Sequence, residues 1–236
     1  MTNIFSGKPT LWERFKASGM RSLIVLLLGI CSFRSAVADW NDVPSGSMKP
    51  TILEGDRVFV NKLAYDLKVP FTEIHLAEWA NPARGDVVIF YGPDDGVRLI
   101  KRVVGLPGDH LQMVGNQLYI NGQAVVHDDD VKLVSADYNK ENPSGGLLAE
   151  EQLGQHEHPI AVQSWSEAMR DFPDGVTVPA GHYFMMGDNR DDSRDSRWFG
   201  FVDRKLIVGQ ALAVALSVNP SDSYKPRWQR FLSPLP

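Results

Sequence analysis

Asp86-Val87-Val88-Ile89-Phe90-Tyr91 and Val97-Arg98-Leu99-Ile100-Lys101-Arg102-Val103-Val104 are the runs that decide the fold. Arg84-Gly85 opens the first, and Gly105-Leu106-Pro107-Gly108-Asp109 closes the second. Both are rich in β-branched residues and bounded by turn formers, which reads as strand, turn, strand. The same grammar extends outward. Arg57-Val58-Phe59-Val60 follows the turn Glu54-Gly55-Asp56, and Leu118-Tyr119-Ile120 runs into Asn121-Gly122, a hairpin signal. Strand character returns at Gly181–Met186 and at Leu206–Val214. Short strands at this spacing, with little helical periodicity, predict a mainly β, antiparallel architecture. Residues 127–175 differ: His127–Asp130, Ser144-Gly145-Gly146 and His156-Glu157-His158 make a polar stretch, read as loops and a peripheral insertion in the β-core.

Composition sets outer bounds. The chain has 236 residues, 43% of them hydrophobic, and a net charge of −5 from 24 basic and 29 acidic side chains. Without a basic stripe it is a poor nucleic-acid binder, because phosphate affinity comes from clustered Lys and Arg. Its single cysteine, Cys31, permits neither an internal disulfide nor a Cys-rich zinc site.

The N-terminus has a different character. Residues 22–33 carry no charge, and Lys8, Arg14, Lys16 and Arg21 precede them against one acid, Glu13. Positive charge before an apolar run holds the N-terminus in the cytoplasm and sends the downstream chain across the bilayer. The run is shorter than the ~20 residues of a spanning helix. Ala36-Val37-Ala38 supplies a small-x-small site for cleavage of a leader. A retained helix from Ala17 to Val37, with Arg34 snorkelling outward, fits the sequence equally well. A buried core helix fits the basic flank poorly.

Three constellations carry chemistry. Pro44-Ser45-Gly46-Ser47-Met48-Lys49-Pro50-Thr51 presents serines on a turn stiffened by two prolines. Such serines are ordinarily turn residues, and a hydroxyl needs a base to become a nucleophile. None of the six histidines sits in a matching motif, and His156-x-His158 reads as a solvated surface pair without a third metal ligand. Lys101 is the alternative base. A lysine in a strand usually reaches solvent, but Lys101 and Arg102 are neighbours that point to opposite faces, so one of the two must face inward unless the strand bulges. A buried amine sheds its charge and becomes able to accept a proton near neutral pH. The third is Gly187-Asp188-Asn189-Arg190-Asp191-Asp192-Ser193-Arg194-Asp195-Ser196-Arg197-Trp198-Phe199-Gly200. Arginines interrupt its acids, which favours internal ion pairing over a calcium cage. No metal site is expected.

With these residues in hand, the chain resembles the bacterial type I signal peptidases. Four segments carry the likeness in the family's order: Pro44–Thr51, Gly55–Lys62, Arg84–Asp109 and Gly187–Val202. The resemblance implies a Ser/Lys dyad serine endopeptidase, with Ser47 as nucleophile and Lys101 as general base. Ser45 and the Ser47 backbone N–H would form the oxyanion hole, Ser193 would orient the lysine, and Asp195 and Arg197 would be a supporting ion pair. Val43, Met48, Ile52, Val58, Ile89 and Ile100 would line shallow pockets for alanine-sized side chains. The implied fold is a catalytic domain of coiled antiparallel β-sheet with a smaller β-rich subdomain inserted, behind one N-terminal transmembrane helix. The implied division is 1–16 cytoplasmic, 17–37 membrane anchor, 38–107 and 179–218 catalytic, 108–178 inserted, and 219–236 a C-terminal tail.

The implied partners are preprotein signal peptides emerging from the export machinery and membrane lipid, with no cofactor. The implied location is the bacterial inner membrane, single-pass, with the catalytic domain extracytoplasmic. The chain departs from many members in carrying Trp40-Asn41-Asp42 before the serine motif, in having room for one spanning segment, and in lacking a disulfide. Self-processing at Ala38 stays open. So do two rivals: a specialised accessory peptidase of narrow substrate range, and a non-enzymatic exported β-module that binds calcium. The C-terminal Lys225–Leu232 fits either a lipid-resting patch or a packed tail.

Overall fold

The computed structural model describes residues 11–72, 74–125, 132–133, 147–162 and 171–236. A long helix α1 (Leu11–Ala36) leads directly into strands β1 (Ala38–Asp42), β2 (Asp56–Asn61), β3 (Asp66–Lys68), β4 (His75–Glu78), β5 (Val87–Tyr91) and β6 (Arg98–Gly105). Then come β7 (His110–Val114), β8 (Gln117–Ile120), β9 (Gln123–Ala124), β10 (Lys132–Leu133), β11 (Leu147–Leu153), β12 (His156–Val162), β13 (Phe172–Thr177) and β14 (His182–Met186). The chain finishes with a one-turn helix α2 (Ser196–Phe199), β15 (Val202–Asp203), the long β16 (Ile207–Asn219), and the short β17 (Lys225–Pro226) and β18 (Ser233–Pro234).

One sheet dominates, ordered β1-β2-β16-β5-β6-β14-β15, with every pairing antiparallel. Its curl has a visible cause. Register shifts interrupt β16 against both β2 and β5 and β14 against β6, and each bulge sharpens the local twist. At Gly209 a side chain would lie 2.5 Å from the Asn61 carbonyl, so only glycine lets β16 pass β2 there.

The run Val87–Phe90 is apolar throughout because both faces of β5 are covered. Val87 and Ile89 join one core with Val43, Met48, Ile52, Val58, Val60, Val208 and Ala211. Val88 and Phe90 join a second with Tyr65, Val103, Tyr183, Met185, Val202 and Ile207. Alternation along a strand sends neighbours to opposite faces, which is how one run serves two cores. A third core, around Val104, Leu111, Met113, Leu118, Leu153 and Phe184, joins β6 to the separate sheet β13-β7-β8-β9.

The insertion is more closely integrated than the polarity of 127–175 predicts. His127–Asp130 and Ser144–Gly146 lie outside the described residues. The hairpin β11–β12, however, lies against the loop that follows β14: Ala161 N donates to Asp188 O at 2.8 Å, and Arg190 N donates to Ala161 O at 2.8 Å. His158 is therefore no surface residue. It is wholly buried, with Nε2 3.3 Å from Glu151 and 3.7 Å from Asp188. Pairing with buried carboxylates makes a polar stretch suitable for an interior.

Helix α1 presents Leu23, Ile24, Val25, Leu26, Leu27 and Leu28 to the outside, and its Gly19–Ala36 window is 6% buried at a mean hydropathy of 1.4. Among the described residues almost nothing covers this window, which is not how a core helix is packed. At the far end, β18 pairs with β16, Leu235 packs on the first core, and Arg230 engages Asp56 at 2.5 Å. The tail is a packed one, although Trp228 and Leu232 remain exposed.

Candidate active site

Ser47 sits on the turn between β1 and β2, closed by Lys49 N to Gly46 O at 3.0 Å and Ile52 N to Met48 O at 2.9 Å. The apolar Met48 and Ile52 are fully buried and pin the turn to the first core. A second segment holds it from the other side. Asn189 N donates to Ser47 O at 3.1 Å, and Asn189 Nδ2 donates to Gly46 O at 3.1 Å.

Lys101 reaches the same point from β6, 54 residues away, and its Nζ donates to Ser47 Oγ. Lys101 is 3% exposed, and burial pulls its pKa from 10.5 to about 8. Asp195 and Asp188 oppose that fall, and Arg197 adds to it. An amine so placed is substantially neutral in mildly alkaline water, which is the protonation state a base requires.

Strand alternation requires one of Lys101 and Arg102 to face inward. Both are buried. Arg102 meets Asp188 in a two-point fork, Nε to Oδ1 at 2.9 Å and the terminal nitrogen to Oδ2 at 2.8 Å, and it also donates to Gly85 O at 2.8 Å. Asp188 further accepts from Thr51 Oγ1 at 2.5 Å. One carboxylate, itself on the Gly187–Gly200 loop, thus ties that loop to the serine turn and the lysine strand. Burial disfavours its charge, but Arg102 and the neighbouring His158 outweigh that and hold it below the ordinary carboxylate range.

Asp195 caps α2 and grips Arg197 at 2.8 Å through both carboxylate oxygens. It also accepts from Gly187 N at 3.0 Å. Burial again works against its charge, and Arg197 prevails to keep it ionised. Of the three arginines expected to pair inside the loop, only Arg197 does so. Arg190 bonds to buried Glu151 on β11, and Arg194 reaches Asp94 and Asp95 in the β5–β6 turn. Strand β11 and the β5–β6 turn thus supply the carboxylates that these two arginines meet.

Ser193 is buried, and its Oγ and the Ser47 carbonyl both crowd the side of Gly187 where a side chain would stand. A methyl group on Gly187 would sit 2.3 Å from Ser193 Oγ and 2.4 Å from Ser47 O. Nothing in the motif marks this glycine, because close approach shows in sequence only as a missing side chain. Asp188, Thr51, Glu151 and His158 escape sequence reasoning for the related reason that their partners are remote along the chain.

An open cleft of about 310 Å³ ends at the two side chains. Val43, Ser45, Ser47, Val58, Ile89, Ile100 and Lys101 line it, together with Asn41, Asp42 and Val97–Leu99. Ser45 is exposed in the cleft beside Ser47. Met48 and Ile52 are placed behind the wall, in the core, and not on its surface. Among the described residues no three His, Cys, Asp or Glu side chains gather as a metal site.

The sequence model of a family described as signal peptidase, peptidase S26, matches residues 16–216. The chain belongs to that family. Signal peptidase I of Pseudomonas fluorescens is 40% identical over 237 residues, covering 94% of this chain and 79% of that protein. The Pseudomonas aeruginosa enzyme is 40% identical over 240 residues with the same coverage. A crystal structure of a signal peptidase I from Enterococcus faecalis V583 is 33% identical, covers 56% of this chain and 97% of that one, and superposes with a TM-score of 0.35. At that score the fold rests on the strands described above and not on the likeness. Membership makes this signal peptidase a serine endopeptidase associated with membranes, which removes the non-enzymatic binding module from consideration.

Proposed function

We propose that this enzyme cleaves exported preproteins after small-x-small sites, with Ser47 as nucleophile and Lys101 as general base. The reading rests on the hydrogen bond from Lys101 Nζ to Ser47 Oγ in the wall of a mainly apolar cleft. Neutral Lys101 takes the hydroxyl proton as Ser47 Oγ attacks the scissile carbonyl. The Ser45 hydroxyl and the Ser47 N–H receive the oxyanion, where charge develops in the transition state. Lys101 then returns its proton to the leaving amine, and afterwards draws one from water to release the acyl group. Ser193 keeps the amine oriented, and the Asp195–Arg197 pair holds Gly187 and the loop beneath it. No cofactor enters these steps.

Specificity follows from the walls. Val43, Val58, Ile89 and Ile100, backed by Met48 and Ile52, leave shallow space that suits alanine at the positions one and three before the cut. Helix α1 is 26 residues long. Its apolar window Gly19–Ala36 holds 18 residues and, at 1.5 Å per residue, spans roughly 27 Å, close to the ~30 Å hydrocarbon layer. It serves as a retained anchor with its N-terminus cytoplasmic, and the catalytic domain stands on the extracytoplasmic side, where signal peptides leave the export machinery. The boundaries 38–107 and 179–218 for the catalytic domain and 108–178 for the insertion belong to this reading.

The test is cleavage of a preprotein carrying an Ala-x-Ala site by the full chain, Ser47→Ala and Lys101→Ala. Both variants are expected to lose activity while unfolding as cooperatively as the wild type. Full activity in either refutes the dyad. A wild type that cuts only a few preproteins would favour the specialised accessory role.

A further inference from the structure

A second cavity, of about 270 Å³, opens where α1 meets the β-body. Among the described residues its wall contains Ser35 from the last turn of α1, then Lys62, Lys68, Arg98 and Lys205, with Phe71 at the mouth. Four of these are cations, and none of the described lining residues is an acid. Their charge is only partly met nearby. Lys68 pairs with Asp66 at 2.5 Å, but Asp66 is shared with Arg204 at 2.9 Å. Lys62 is 3.5 Å from Asp39, which Arg34 also engages at 2.5 Å. Arg98 donates to two neutral acceptors, Asn41 Oδ1 at 2.7 Å and Tyr91 Oη at 3.2 Å, and Lys205 is exposed. Burial lowers the Lys62 pKa; Asp39 resists, and Arg98 lowers it further. A site crowded with like charge is stabilised by an entering anion.

The cavity is built on the end of the apolar helix. Lys62 Nζ donates to the carbonyls of Arg34 and Ser35, each at 3.1 Å, and Phe71 N donates to Ser35 Oγ at 2.6 Å. Phe71 holds a left-handed backbone at φ 64°, costly for a bulky residue, and leaves its ring 66% exposed. Ile74, Leu76 and Trp79, on the same excursion, are also exposed. Cations at the exit of an apolar helix, beside outward apolar and aromatic rings, match the layering of a bilayer surface.

We propose that this cavity binds the phosphate of an anionic phospholipid headgroup, with Phe71 and its exposed neighbours resting against the lipid's apolar region. The inference builds on the proposed anchor, since it needs Ser35 at the level of the headgroups. The absence of carboxylates among the described lining residues favours an anionic headgroup over one that also carries a cationic amine.

The experiment is native mass spectrometry of the full chain in detergent, titrated separately with phosphatidylglycerol, phosphatidylcholine and inorganic phosphate. Phosphatidylglycerol is expected to bind at least about tenfold tighter than phosphatidylcholine. Lys68→Gln/Lys205→Glu should weaken it about fivefold or more, while detergent-phase peptidase activity stays unchanged. Should the double variant melt low, Lys205→Glu alone carries the comparison, because that side chain is exposed. Equal affinity for the two lipids, unchanged binding in Lys205→Glu, or displacement of the lipid by equimolar inorganic phosphate would overturn the proposal. Carbonate extraction of membranes holding the chain tests the anchor separately. Release of the chain there would break the anchor reading, while the detergent titration still decides whether the cavity takes the headgroup.

Discussion

Replacing Lys101 by Met should abolish cleavage and, at the same time, make the protein more stable. Methionine keeps the length of the side chain without the charge, in a place where Lys101 is 3% exposed. The buried amine titrates near 8 against 10.5 when free, so at neutral pH folding the charged lysine costs roughly 3 kcal/mol. The sign comes from proton counting. Between pH 8 and 10.5 the folded chain binds fewer protons than the unfolded one, so wild-type stability rises with pH through that window. Below it the penalty is fully present; above it the penalty is gone. Lys101→Met should therefore lead the wild type by about 3 kcal/mol at pH 7 and by about 1 kcal/mol or less at pH 10. Asp195 and Asp188 do not become orphans in the variant, because Arg197 and Arg102 still pair with them. Urea unfolding of both full chains in the same detergent, at several pH values, measures the gap. A variant that is no more stable, or a gap that does not change with pH, refutes the claim that burial lowers the Lys101 pKa.

Three further outcomes are expected. Gly187→Ala places a methyl group 2.3 Å from Ser193 Oγ and 2.4 Å from the Ser47 carbonyl, so kcat should fall by about a hundredfold as the site is displaced; near-normal turnover would show that the loop yields. Asp188→Leu strands the buried Arg102 guanidinium and should destabilise the fold by about 3–5 kcal/mol, seen as an early denaturation midpoint; a loss near 1 kcal/mol would mean the pair contributes little. Ile89→Ala, on the cleft wall, should relax specificity, raising kcat/KM for valine over alanine before the cut by about tenfold. An unchanged ratio for every substrate would remove Ile89 from the specificity pocket.

The strands are legible because local signals agree: β-branched runs, glycine punctuation and alternation all favour antiparallel sheet. Val87–Phe90 shows where that reading stops. An unbroken apolar run says a strand is buried, but the two cores it serves appear only when β2, β16, β6 and β14 are in place. Ser47 and Lys101 each stand out as local anomalies, a serine in a stiffened turn and a lysine in an apolar strand. Their meeting cannot be read from the residues alone, because 54 positions separate them. The polar stretch after residue 127 misleads for the same reason. His158 reads as solvated until Glu151 and Asp188 are packed against it, and Glu151 meets Arg190 from a loop 39 residues further on. Close approach is the least visible feature, since Gly187 announces a contact by having no side chain.

The proposed mechanism stands or falls on the protonation state of Lys101 during catalysis, and the pH dependence of kcat/KM for an Ala-x-Ala preprotein reports it directly. A single ascending limb with an apparent pKa of about 8, absent from Ser47→Ala, is what a buried amine acting as base requires. A rate that is level across that region, or that rises instead near the ordinary histidine value of about 6.5, would contradict the Ser47–Lys101 mechanism.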